Sequence, residues 1–288
     1  MRTLKTILVA LGMSDTDTKV IQRALLIAKD VHAQIHFIHI VDIPVLDIEI
    51  TSEFLSQEID KEDLKKRMIQ KVNDAGDTHG LEPHFHIKIG TPSEHVIHTA
   101  QKIQADLIVM GAHTRPKIEE YYLGSTAENI AKKSARPILV VKNSVQGVYK
   151  NILAPTDFSL SSKKSIKFAQ IAFKSSEIKI AHAYMDLDAF DLEHTDIYEY
   201  DSKDSITGNY SKIERFKNDI GIKKLDLFES GTSLDQSIAD YIIAHQSEII
   251  ILGSSGSDVI GYLSSVASGL LRKTPSDVLI YIPLTQEE

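Results

Sequence analysis

The chain reads as an α/β protein of two tandem doubly wound (Rossmann-like) domains, each with a five-stranded parallel sheet flanked by four helices. Two observations predict this. Segments of the first half return in the second in one order, and short apolar β-branched runs alternate with longer stretches of helical period. The repeat is legible residue by residue. KTILVALGMS (5–14) returns as KNILAPTDFS (150–159), and IHFIHIVD (35–42) as IKIAHAYMD (178–186). IKIGTPSEHVIHTA (87–100) returns as LFESGTSLDQSIADY (227–241), and ADLIVMGAH (105–113) as SEIIILGSS (247–255). GSTAENIAKKSARPILVV (124–141) returns as SSVASGLLRKTPSDVLIY (264–281). Such a pattern marks a tandem duplication, with domains at 1–143 and 150–284 and a linker at 144–149.

Within the first half the pattern predicts strands at 5–11, 34–41, 84–89, 106–111 and 137–142. Helices fall between them at 15–31, 52–79, 92–103 and 125–135. Ile21, Ala24, Leu25 and Ala28 share one face of the first helix at i, i+3, i+4, i+7. Along the second, Phe54, Leu55, Ile59, Leu64, Met68 and Ile69 form an apolar face that packs on the sheet, with Gly80 as its stop before Pro83. Thr91-Pro92 opens the third with a capping residue and a proline in the first turn. The second half repeats the order, with strands at 151–156, 178–184, 223–229, 247–253 and 277–282. Between its second and third strands, Asp186 to Gly208 is acidic, Tyr-bearing and aperiodic, which predicts a loop followed by a helix over 210–219. That segment reads either as a solvated loop or as a lid or partner-docking loop.

Composition narrows the function. The 288 residues are 42% hydrophobic and 25% charged, the balance of a globular protein. No run approaches the roughly 20 apolar residues of a membrane span, and the N-terminus reads as a first strand, not a signal peptide. Without cysteine, thiolate catalysis and Cys-ligated metal are excluded, and a cytoplasmic location is expected. The net charge of −8 argues against a general nucleic-acid binder.

In a doubly wound sheet, ligands sit beyond the carboxyl ends of the strands where the strand order reverses. The fourth strand of the first half runs into Gly111, then His113, Thr114 and, after a loop, Gly124-Ser125-Thr126. Its counterpart runs through Leu252 into Gly253, Ser255 and Gly256, then Ser264-Ser265-Val266. Glycine lets backbone approach a ligand, and hydroxyls with free N–H groups at a helix start cradle an anion. Phosphate binding and plain helix capping both satisfy this spacing.

These residues, with ILVAL and ILAPTDFS at the first strands, His39 and His182 at the second, and the closing RPILVV, resemble the universal stress protein family. The likeness spans nearly the whole chain and is to its tandem two-domain members. ATP-binding members carry G-x2-G-x9-G-[ST] after the fourth strand and an Asp at the end of the first. The resemblance implies that this Asp and a second-strand residue hold the adenine, while the glycines and Ser/Thr take ribose and phosphates. Transferred to this chain, the second domain supplies Pro155, Thr156, Asp157, Ala183, Leu252, Gly253, Ser255, Gly256, Ser264, Ser265 and Val266, though its loop is two residues short and Ser264 stands for a glycine. The first supplies Ala10, Ile40, Gly111, His113, Thr114, Gly124, Ser125 and Thr126, but has Thr114 for a glycine and Gly12 for the Asp.

The resemblance thus implies a stress-response regulator or protectant that binds ATP or AMP in at least one domain, the second favoured because it keeps Asp157. A ligand-free interaction module and a slow ATPase are the rivals. Whether Mg²⁺ accompanies the phosphates is left open. It also implies that the two domains form an internal pseudo-dimer through their final strands, 137–141 and 278–281. A homodimer stands open. No GK[ST] phosphate loop, GxGxxG, GxSxG or HExxH is present, and no catalytic base or nucleophile stands out. Of the twelve histidines, His84 and His86 share a strand face and His95 and His98 one helical turn. Surface histidines and a metal-binding pair are the two readings.

Overall fold

The computed structural model describes residues 3–42, 59–112, 124–184, 202–231, 233–254 and 265–282. The first half runs β1 (Thr6–Leu11), α1 (Asp17–Val31), β2 (Gln34–Val41), α2 (Lys61–Ala75) and β3 (His84–Ile89). It continues with α3 (Pro92–Lys102), β4 (Leu107–Gly111), α4 (Ser125–Lys133) and β5 (Ile138–Val141). The second repeats the series as β6 (Ile152–Pro155), α5 (Leu160–Ala172), β7 (Ile178–Tyr184), α6 (Ser202–Ile220) and β8 (Asp226–Glu229). It closes with α7 (Leu234–Ala244), β9 (Ile249–Gly253), α8 (Ser265–Lys273) and β10 (Asp277–Tyr281).

The strands form one ten-stranded sheet in the order β3-β2-β1-β4-β5-β10-β9-β6-β7-β8. Every neighbour pair is parallel except β5 with β10, which run antiparallel with Leu139 opposite Leu279. The final strands of the two halves therefore pair with each other, as the resemblance implied. Because that pairing is antiparallel, the strands of one half point opposite to those of the other. Their carboxyl ends lie at opposite margins of the sheet.

Side chains alternate across the sheet and feed a core on each face. On one face Ile7, Val9, Phe37, Leu107, Leu139, Ile251 and Leu279 pack with α1, α2, α5 and α6 residues such as Ile21, Met68, Ile166 and Phe216. On the other, Leu8, Ile38, Ile108, Val140, Ile250 and Ile280 meet Val96, Ile130, Ile238 and Leu270 from α3, α4, α7 and α8. Both cores pass through the seam without a break. Near-continuous runs such as Leu107–Met110 and Ile249–Leu252 follow from burial on both faces.

Several boundaries differ from the sequence reading, among them the start of β8, at Asp226 and not at 223. The second helix stops at Ala75 with Gly76 as its cap, not at Gly80, which takes φ 76° in the following turn. Of the apolar residues assigned to its face, Phe54 and Leu55 lie outside the described residues. Helix α6 begins at Ser202, eight residues before the predicted start, and runs through Gly208. A glycine costs a helix interior about 1 kcal/mol, which the burial of Phe216 and Ile220 outweighs. Strand β6 stops at Pro155, which has no N–H to give a ladder. Among the described residues, no helix is long and apolar enough to cross a membrane.

Candidate functional site

The strand order reverses between β1 and β4 in the first half and between β6 and β9 in the second. There the crossover helices depart to opposite faces and leave a crevice at the strand ends. In the first half β1 and β4 stay paired for four residues, Ile7 to Ala10 against Leu107 to Met110. In the second, only Ile152 with Ile249 and Leu153 with Ile250 are paired. The proline at 155 ends the ladder early, so this crevice begins deeper in the sheet.

Each first strand leaves through a left-handed residue that is not glycine, Met13 at φ 59° and Phe158 at φ 63°. That conformation is uncommon for a residue with a Cβ, and both copies of the repeat hold it at the same place. In both halves a histidine fastens the strand end. His39 Nδ1 donates to the Leu11 carbonyl at 3.0 Å, and His182 Nδ1 to the Thr156 carbonyl at 2.7 Å. Since a carbonyl only accepts, a proton sits on Nδ1 of each ring. The Phe158 ring lies 4.3 Å from that of His182 and meets Phe216 edge-on at 5.3 Å.

Beyond the strand ends the halves diverge. In the first, the buried Asp17 carboxylate accepts from Gly12 N at 3.2 Å and Ser14 N at 3.0 Å. Burial pushes its pKa above the ordinary value, against these N–H bonds and the charge of Lys71. In the second, hydroxyls replace the carboxylate. Thr156 Oγ1 lies 3.0 Å from Ser162 Oγ and accepts from Phe158 N at 3.0 Å. Ser159 caps α5 by accepting from Ser162 N at 3.1 Å. Asp157 stays exposed, one oxygen accepting from Ser159 N at 2.9 Å. Partial burial pushes its carboxyl up, but hydrogen bonds from Ser159 and Ser162 outweigh that and hold it below its ordinary value. It is an anion at neutral pH.

The motif residues that are described gather at these crevices. Gly124 N donates to Ala112 O at 2.8 Å, which closes the loop after β4 and sets the start of α4 beside Gly111. Ala10 pairs with Met110, so Ala10, Gly111, Gly124 and the half-buried Thr126 belong to one sheet margin; Ile40 is buried in β2. Ser125 is the first residue of α4. In the second half Pro155, Thr156 and Asp157 follow one another at the end of β6, with Ala183 half-buried in β7. Leu252 is buried beneath Gly253 at the end of β9, while Ser265 and Val266 open α8. His113, Thr114, Ser255, Gly256 and Ser264 lie outside the described residues, as do Tyr198 and Tyr200 of the acidic segment.

Ser161 was not among the residues the sequence singled out. Its hydroxyl donates to the Ser254 carbonyl, and a Cβ added at Gly253 would meet Ser161 Oγ at 2.6 Å. The glycine is needed because α5 crosses the end of β9 at close range. The run Ser159, Ser161, Ser162 at the start of the helix was the available signal. Among the described residues, no three His, Asp or Glu side chains form a group that could hold a metal ion.

The sequence model described as the universal stress protein family matches residues 3–142 and 148–281. A universal stress protein of Methanocaldococcus jannaschii is 31% identical over 145 residues, 48% of this chain and 82% of that protein. A universal stress protein of Bacillus subtilis is 23% identical over 145 residues, 47% of this chain and 97% of that one. Among solved structures, a universal stress protein from Archaeoglobus fulgidus superposes with a TM-score of 0.67 at 18% identity. The match covers 96% of this chain and 97% of that one, a likeness of fold.

Proposed function

We propose, from the premise that this chain belongs to the universal stress protein family, that it is a stress-response regulator or protectant that binds ATP or AMP. Its units are 1–143 and 150–284, joined by 144–149, and the second is the favoured site. One observation carries the choice: Asp157, exposed and held as an anion, stands at the mouth of the crevice that Pro155 opens between β6 and β9. A fixed carboxylate there is an acceptor for an exocyclic amine such as that of adenine. The hydroxyls of Ser159 and Ser162 hold it in place. In the first half, Gly12 offers no such group, and the Asp17 carboxylate occupies the strand-end N–H groups that an anion would use.

Mass spectrometry of small molecules released on denaturing freshly purified protein is expected to find adenine nucleotide. Calorimetric titration is expected to give a heat with ATP or AMP that falls about tenfold in affinity in Asp157→Ala, the scale of one lost hydrogen bond to a charged group. Equal affinity in that variant rejects the assignment to the second half. Ser161 favours a second reading, since its contact with Gly253 fills room at the strand end from within the chain. On that reading the protein is an interaction module with degenerate sites. It yields no bound nucleotide and no heat.

A further inference from the structure

We infer that the seam between the halves is charge-coded, so that β5 pairs with β10 and rejects a second β5, as β10 rejects a second β10. The pseudo-twofold passes through Leu139 and Leu279, which occupy equivalent positions of the repeat. A symmetric apolar seam would pair β5 with β5 of another molecule as readily as with β10. Four of the places where the repeat is broken around this seam introduce a charge or a hydroxyl that meets the others. Asp277 stands where the first half has Pro137, Arg23 where the second has Phe168, Lys142 where it has Ile282, and Tyr149 where the first has Leu4.

These four meet at one end of the seam. Asp277 is wholly buried, and its Oδ1 accepts from the backbone N–H groups of Lys142 at 2.7 Å and Asn143 at 2.9 Å. Its Oδ2 accepts from Tyr149 OH at 2.5 Å and lies 3.9 Å from Arg23 Nε. Arg23, 4% exposed, stacks its guanidinium 3.5 Å from the centre of the Tyr149 ring and donates from Nη1 to Gly147 O at 2.7 Å. Lys142 Nζ donates to Leu271 O and Thr274 O at the end of α8, and Lys19 Nζ to Lys142 O. Among the described residues Arg23 Nε has no hydrogen-bond partner, and Asp277 is its counter-charge. At the other end of the seam Phe168 and Tyr281 meet ring to ring at 5.5 Å.

The wrong pairings follow by symmetry. Pairing β5 with β5 would set Arg23 and the N–H groups of Lys142 and Asn143 against Pro137 twice over, with no carboxylate. Pairing β10 with β10 would bury two Asp277 carboxylates against Phe168, Tyr281 and Ile282. Each removes the counter-charge from Arg23 or Asp277, whereas the observed pairing sets the two against each other. The register-setting polar residue of a coiled coil acts in the same way, by penalising the alternatives.

The full-length chain tests this. Wild type, unfolded in urea and refolded over a range of concentrations, is expected to return the same mass distribution by light scattering as protein never unfolded. The neutral pair Arg23→Met with Asp277→Asn is expected to refold with about a tenfold larger fraction of concentration-dependent oligomer. Refolding of that variant to the wild-type distribution overturns the inference, as does wild type that gains oligomer to the same extent. Should the double variant stay unfolded, Arg23→Met with Tyr149→Phe leaves Asp277 on its two backbone donors. A smaller gain in oligomer is then expected, and no gain is contrary.

Discussion

Asp17 and Ser162 hold equivalent positions in the two halves and solve one problem differently. The backbone N–H groups that follow a first strand need acceptors once the loop turns left-handed at Met13 or Phe158. In the first half a single carboxylate serves Gly12 and Ser14; in the second, Thr156 and Ser159 hydroxyls serve Phe158 and Ser162. Replacing Asp17 by Ala strands two N–H groups in a part-buried site. The expected loss is about 1–2 kcal/mol of folding stability, the range for a lost cap, with Asp17→Asn losing less because its amide oxygen still accepts. Urea denaturation measures it, and an alanine variant as stable as wild type would mean that water replaces the carboxylate. The converse substitution, Ser162→Asp, brings a charge toward Thr156 and Asp157 and is expected to weaken any nucleotide binding at least threefold in calorimetry.

At the scale of elements, the outer edge of the first half carries a histidine cluster that the strand alternation only half announced. His36 of β2 and His86 of β3 share a hydrogen bond of 3.0 Å between ring nitrogens, and His84 stacks on His36 at 4.5 Å between centroids. One imidazole must be unprotonated to accept. Burial, then the charges of His84 and His86, hold His36 down to about 4, against 6.5 for a free histidine. Burial, then the charges of Lys88, His84, Lys102 and Lys65, also lower His86. The unfolded chain thus binds more protons than the folded one between pH 6.5 and 4, and stability falls as pH drops through that window. The protection factors of the β3 amides, taken relative to intrinsic exchange at each pH, are expected to fall from pH 6.5 to 4.5 more than those at β9, and less so in His36→Leu. Equal changes at both strands would refute it. The sequence foretold the pair on β3 but not His36, because register across a parallel pair is set by the crossover and not by local spacing. Topology and the seam were legible because the repeat and the buried runs encode them directly. The helical span over 202–209 and the early end of β6 were not. In the first, distant burial of Phe216 overrides a local glycine; in the second, one missing N–H decides.

For the whole molecule, the decisive feature is that both cores run unbroken across β5 and β10, so neither half completes its sheet alone. Leu139 and Leu279 lie opposite each other with no exposure, in the core that also holds α1 of the first half and α5 of the second. Deleting most of one side chain there leaves a cavity that both halves feel. Leu279→Ala is expected to cost about 2–5 kcal/mol, the range for a fully buried leucine. It should lower the protection of slow amides in β1 and β4 together with those in β6 and β9, and unfolding should remain a single transition. A duplicated protein with independent halves would behave otherwise, losing protection in the second half alone and showing two transitions. The same continuity bears on the crevices, which face opposite margins of the sheet and have only the seam in common. If nucleotide occupies the second crevice, its binding energy stabilises the shared fold. Saturating ATP or AMP is then expected to slow exchange in β1 and β4 as well as in β6 and β9. Protection confined to β6, β7 and β9 would show that the seam joins the halves without coupling them.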